Sequence, residues 1–244
     1  VHYGRLILMS TMLPSPPKSL GMLGDVLTSA LKSTLGEANP LGLAAKNSVC
    51  VVLVDGLGLH NLKAYAAHAG FLNSQPSTPA SCFYPSTTSA SIVSLATGKP
   101  PWETGFIGYQ ILDRNSSSRM NLLSGWSSQE QATLFQPLET LSETATKAGV
   151  EFHVVAPAIY EYSGFSAATM RSATFHGHND ITQRFEQAKF LLADKNKKIV
   201  YLYLPELDQC AHAQGWKSDR WLRLLEAVDS EMQNLKNSLP KSAG

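Results

Sequence analysis

Two hydrophobic runs constrain this chain more than anything else in it: Val49-Cys-Val-Val-Leu-Val54 and Ile199-Val-Tyr-Leu-Tyr-Leu204. Both are continuous rather than alternating, and the first is rich in β-branched residues, as expected of a central parallel strand covered on both faces. A shorter run, Phe152 to Ala156, reads as a further strand and is stopped by Pro157. Between the runs lie helical stretches: Leu23 to Leu35, the residues after Gly58 through Ala69, and a segment capped by Ser86 or Thr87 and stopped by Gly98 and Pro100. Further on come Leu138 to Ala148, Ile181 to Ala193, and Asp219 to Leu235, the last with Trp221, Leu224, Leu225, Val228, Met232 and Leu235 on one stripe. This alternation predicts an α/β protein with three layers, α/β/α, around a mainly parallel central sheet.

With 244 residues and 43% apolar content, the chain can bury a sizeable core as one domain over residues 1–244. Cap insertions are expected at about 110–135 and 158–180, the first of them polar and rich in Ser. Residues 10–22, rich in Pro and Ser, read as an irregular lead-in. Twenty basic against 19 acidic side chains leave a net charge of +1, too weak a field to argue for nucleic acid or a membrane surface as partner. No stretch approaches the roughly 20 apolar residues of a membrane span. The short apolar patch near Val1 is interrupted and lacks a clean cleavage site, so no signal peptide is expected. Cys50, Cys82 and Cys210 form an odd set with no CxxC spacing, and a cytoplasmic location is the simpler expectation.

In open α/β sheets, chemistry gathers at the carboxyl ends of the strands. Asp55 ends the first run, Asp208-Gln-Cys-Ala-His212 follows the last, and Pro85-Ser-Thr-Thr-Ser89 opens a helix. A hydroxyl is a poor nucleophile at neutral pH, and metal coordination is one way to activate it. Two divalent ions about 4 Å apart could clamp a phosphoryl group, with Asp55 and a threonine serving one and Asp208 with His212 the other. Each motif also has a plainer reading: Asp-Gly as a turn, Ser-Thr-Thr-Ser as a helix cap, and Asp208 with His212 as a one-turn surface pair. What favours chemistry is that all three fall at strand ends of one sheet. His176 and His178 have a ligand-like spacing, but a solvated cap loop is the preferred reading of their segment. Tyr3, Tyr65, Trp102, Tyr109, Tyr160, Tyr162 and Phe165 are aromatic candidates for stacking or for the core, and Ala158 to Gly164 is the expected substrate wall.

Taken together, the motifs resemble those of the type I phosphodiesterase and nucleotide pyrophosphatase family of the alkaline phosphatase superfamily. Its pattern is a strand ending in Asp-Gly (Asp55-Gly56 here), a Pro-x-x-Thr segment running to Thr-Gly (Pro85 to Gly98), and Asp-x-x-Gly-His (Asp208 to His212, with Ala211 in place of the Gly). The likeness runs from about Val49 to near Leu239. It implies an alkaline-phosphatase-like core and hydrolysis of phosphodiester or pyrophosphate bonds in a small-molecule or nucleotide substrate, through a covalent intermediate on Thr88, with Thr87 as the reserve. It further implies two divalent ions, zinc by the family's habit, one held by Asp55 and Thr88 and its neighbour by Asp208 and His212. Tyr109 stands where the family places an Asn against a phosphoryl oxygen. The family's later Asp-His-Gly motif and last metal-binding His have no counterpart before Gly244, so the core is expected to be incomplete. The alternative is accordingly a truncated, catalytically impaired remnant that binds phosphate ligands or a single metal. Other phosphotransfer classes fit worse: Leu57 occupies the place of a haloacid dehalogenase's second Asp, Cys82 lacks a sulfatase's Cys-x-Pro-x-Arg setting, and no G-x-S-x-G elbow occurs.

Overall fold

The computed structural model describes residues 21–113 and 117–244. Four strands form its central sheet: β1 (Ser48–Val54), β2 (Glu151–Ala156), β3 (Thr174–Gly177) and β4 (Lys198–Leu204), in the order β1-β4-β2-β3 and parallel throughout. Six helices matter for the site: α1 (Asp25–Leu35), α2 (Thr88–Thr97), α3 (Leu141–Lys147), α4 (Ile181–Leu192), α5 (Glu206–Gln214) and α6 (Asp219–Ser238).

The continuous strand runs sort by the two-residue period of the pleat. Val49, Val51, Phe152, Val154, Ile199 and Tyr201 face one side and pack with Leu27 and Leu31 of α1, Leu95 of α2 and Ala145 of α3. Cys50, Val52, Val155, Val200 and Leu202 face the other, against Phe185, Ala188 and Leu192 of α4 and Val228 and Leu235 of α6. Helices thus cover both faces, and the expected three-layer α/β/α architecture is present. Cys50 behaves as the small apolar strand residue its surroundings suggest, with burial pushing its thiol up to about 12.

Several boundaries move for local reasons. The helix expected from Leu138 begins at Leu141, because Thr140 caps it and Glu143 reaches back to the Thr140 N–H in a capping box. The helical stretch after Gly58 breaks into Leu59–Ala64 and a tighter turn at Ala66–His68. His176 does not lie in a solvated loop: it belongs to β3, the edge strand of the sheet, paired with β2. The stretch expected as a cap insertion at about 110–135 has structure and core contacts of its own. Its described part holds a strand, Ser118–Asn121, paired with Gln110–Asp113, and a helix, Gln129–Phe135. Leu122 and Ala132 from this stretch are fully buried with Val93, Phe106 and Ala168, tying it to the short helix Gly164–Thr169.

On the far side of β1, Ala243 bridges Ser48 in parallel, and the Cys50 N–H donates to the Gly244 carbonyl at 2.8 Å. Arg184 of α4 is fully buried; it donates to the Tyr203 carbonyl at 2.8 Å and pairs with Glu206, which fixes the turn from β4 into α5. Among the described residues no helix is long and apolar enough to cross a membrane. Tyr3 and most of the Pro- and Ser-rich lead-in lie outside the described residues.

Candidate functional site

Asp55 follows β1 directly, and its N–H continues the ladder by donating to the Leu204 carbonyl at 2.9 Å. Two hydroxyls converge on one oxygen of its side chain: Thr88 Oγ1 donates to Oδ2 at 3.2 Å and the Tyr203 hydroxyl donates to the same atom at 2.7 Å. Next in sequence, Gly56 has φ +74°, and a Cβ there would sit 2.7 Å from Asp208 Cα and 2.9 Å from Asp208 N. Only glycine meets both demands, a left-handed backbone and near contact with the first turn of α5. This close approach brings Asp55 and Asp208 side by side, since Val54 of β1 and Leu204 of β4 are register partners.

The crowding shows in the electrostatics. Burial first, and then the charge of Asp55, raise the Asp208 carboxyl above the ordinary carboxylate value, with His212 pulling the other way. Burial and the same Asp55 charge raise the Tyr203 hydroxyl, which keeps it a donor. Asp208 Oδ1 lies 3.6 Å from His212 Nε2, one turn along α5, and the His212 side chain is 82% exposed.

The two threonines at the start of α2 divide the work. Thr87 is the cap: its Oγ1 accepts the Ala90 N–H and lies 3.3 Å from Ser89 Oγ. Thr88, the first helical residue, is left to turn its hydroxyl to Asp55. Ser89 donates to the Gly108 carbonyl at 2.7 Å, which holds the Glu103 to Tyr109 segment against the start of this helix, with Tyr109 itself half exposed.

Thr88 also borders a cavity of about 500 Å³ on the α1/α2 side of the sheet. Val154, Ala156 and Tyr201 contribute its sheet surface, and Trp126, Tyr160 and Phe165 are among the aromatics around it. Residues 159–164 of the expected wall segment line it as well, apart from Glu161. Tyr65 is instead packed edge-on against Trp216 and Trp221 in a separate cluster, and Trp102 is exposed beside Phe83. Sequence reasoning passed over Tyr203 and Trp126. For Tyr203 a signal existed: two tyrosines two apart in an otherwise aliphatic strand share one face and must find something polar there.

Thr88 and Tyr203 meet the Asp55 carboxylate, and Asp208 stands beside Asp55 with the exposed His212 imidazole one turn along α5. Among the described residues no group of three or more His, Cys, Asp or Glu side chains is arranged to hold a metal ion.

The sequence model of the type I phosphodiesterase / nucleotide pyrophosphatase family matches residues 49–244. The chain belongs to this family. Comparison with curated proteins finds no match. Solved structures of similar fold include murine ectonucleotide pyrophosphatase / phosphodiesterase 5 in an inactive form in complex with AMP, 16% identical with a TM-score of 0.59. A second murine structure of that protein is 16% identical with a TM-score of 0.58, and the human one is 13% identical with a TM-score of 0.56. Each match covers 81% of this chain and 53% of the other, so the chain spans about half the length of those relatives.

Proposed function

We propose that this family member hydrolyses phosphodiester or pyrophosphate bonds in a small-molecule or nucleotide substrate, with Thr88 as nucleophile. The observation that carries the reading is the hydrogen bond from Thr88 Oγ1 to Asp55 Oδ2 at the border of the cavity, while the neighbouring Thr87 hydroxyl is taken up by the helix cap. In the first step the Thr88 oxygen bonds to phosphorus as its proton passes to solvent, and the bond to the departing alcohol or phosphate breaks with the electron pair leaving on its oxygen. Water then attacks the same phosphorus and gives up a proton, and the Thr88 oxygen leaves with the electron pair and is reprotonated. The Tyr109 hydroxyl would hold a phosphoryl oxygen, kept near by the Ser89 to Gly108 bond. The AMP bound to the murine relative supports a nucleotide among the substrates.

The donor chemistry fits a divalent cation: two adjacent carboxylates, one raised by burial and then by the charge of the other, gain from positive charge between or beside them. Carboxylate, hydroxyl and imidazole together suit zinc. Asp55 and Thr88 would hold one ion, and Asp208 with His212 a second. Bound there, the ions would favour the alkoxide of Thr88 and offset charge on the phosphoryl oxygens.

A second reading, a chain that binds phosphate ligands or a single metal without turnover, draws on the exposure of His212 and the lack of a three-ligand group among the described residues. Hydrolysis of bis(p-nitrophenyl) phosphate, measured with metal content per chain, separates the two. Turnover with close to two ions, abolished in Thr88→Ala with the ion at Asp208 and His212 retained, is the expected result. Turnover that survives Thr88→Ala removes the nucleophile assignment, and at most one ion with no turnover selects the second reading.

A further inference from the structure

The cavity beside Thr88 carries a feature the reaction just described does not use. Tyr201 is only 3% exposed, lines the cavity, and its buried hydroxyl has no hydrogen-bond partner among the described residues. Buried hydroxyls are almost always paired, and leaving one unpaired costs the fold its desolvation. Two residues on along β4, Tyr203 stacks on it with ring centroids 6.3 Å apart and 17° between planes, yet the Tyr203 hydroxyl is already given to Asp55. Other hydroxyls around the cavity are likewise engaged: Thr88 with Asp55, Tyr160 with Gln209, Thr169 with the Phe165 carbonyl, and Ser163 with Ser166. Tyr201 is thus an unpaired donor in the cavity wall, and a group filling the cavity is one source of its acceptor.

The rest of the lining defines that content. None of the described residues around the cavity is charged, and most of the surface is aliphatic or aromatic. A charged group would enter at a desolvation cost with no counter-charge to meet it. At about 500 Å³ the space suits an organic group of ordinary ligand size.

We propose that Tyr201 is a specificity-determining residue, and that the site selects phosphoesters whose organic group is uncharged, mainly aromatic or apolar, and carries a hydrogen-bond acceptor met by the Tyr201 hydroxyl. This rests on the cavity being the substrate site of the Thr88 reaction, so the test reads binding apart from turnover. Two methyl phosphodiesters that differ by one atom serve as probes: the 4-acetylphenyl ester and the 4-isopropenylphenyl ester, in which CH₂ replaces the carbonyl oxygen. Calorimetric binding is measured on Thr88→Ala and on Thr88→Ala combined with Tyr201→Phe.

The acetyl ester should bind about tenfold more tightly than its isostere to Thr88→Ala, and this ratio should fall to about one when Tyr201 loses its hydroxyl. A hydroxyl with a structural partner would instead cost stability on removal; here Tyr201→Phe should melt at the same temperature or higher, since nothing is left unpaired. Equal binding of the two esters, a preference that survives Tyr201→Phe, or binding of neither ester would overturn the assignment. Hydrolysis of the same esters by the unsubstituted chain is scored separately: its absence alone, with the binding preference intact, counts against the hydrolase reading and leaves the role of Tyr201 standing.

Discussion

At Gly56 two separate demands fall on one residue, and they can be told apart by substitution. Its φ of +74° disfavours any side chain, and a Cβ would press on the backbone of Asp208. Gly149 has a similar φ of +71° but nothing within 4 Å of the position a Cβ would take. Gly149→Ala should therefore cost only the left-handed backbone penalty, about 1 kcal/mol. Gly56→Ala should cost about 3 kcal/mol or more, because the contact must be relieved by moving backbone rather than the end of a flexible side chain. Urea denaturation of the two variants makes the comparison; equal losses would mean that the close approach of β1 to α5 carries no weight. If the approach sets the spacing of Asp55 and Asp208, phosphodiesterase activity should fall in Gly56→Ala and hold in Gly149→Ala.

The edge strand β3 shows what an element can hide from its sequence. Thr174-Phe-His-Gly177 is four residues long, has one strand neighbour and carries a histidine, so neither a continuous apolar run nor a clear alternation marks it. β1 and β4 are legible for the opposite reason, since helices cover both of their faces and every position is apolar or nearly so. The helix α5 was hidden too: Pro205 precedes it and offers no side-chain cap, and its Gln, Cys, Ala and His residues give no strong stripe. α2 was readable because Thr87 caps it and Gly98 ends it in the left-handed conformation.

What holds β3 to β2 on one face is a hydrogen-bonded relay. Gln187 Nε2 lies 3.4 Å from His176 Nδ1, His176 Nε2 lies 3.1 Å from His153 Nδ1, and His153 Nε2 lies 3.2 Å from Glu151, which also meets Lys198. One direction satisfies every member: each N–H donates toward Glu151, with each ring accepting at Nδ1 and donating at Nε2. Burial first, then His153 and His178, hold the His176 pKa below its ordinary value, with Glu161 opposing. A histidine depressed in the fold and at about 6.5 in the unfolded chain contributes stability that is full above pH 6.5 and is lost as pH falls through the folded value. Amide exchange at Thr174–Gly177, corrected for its intrinsic pH dependence, should therefore accelerate below about pH 6.5. His176→Asn should flatten the profile. Protection that stays constant down to pH 5 would show that the relay does not hold the strand.

For the molecule as a whole, the α/β/α layering followed from the strand runs, and the meeting of Asp55 with Asp208 followed from strand order, β1 beside β4. What no single segment could show is the register that lays Tyr203 across to Asp55 and leaves Tyr201 facing a cavity, because that depends on a strand far along the chain. The same convergence has a cost that the whole fold bears. The Asp208 pKa is raised in the fold, so its contribution to stability is lost as pH rises through that value and the carboxylate ionises beside Asp55. A divalent cation should reverse this. A ligand at 100 times its dissociation constant adds about 2.7 kcal/mol, which for a chain of this size is roughly 5–10 °C in melting temperature. After dialysis against a chelator, zinc should raise the melting temperature by about that much, and renewed chelator should remove the rise. Asp55→Asn and Asp208→Asn should each blunt the response, while Asp208→Asn without metal should melt at or above the unsubstituted chain at neutral pH, one like charge having gone. A zinc shift of the same size in both variants would place the ion elsewhere, and no shift in the unsubstituted chain would remove the cation from the site.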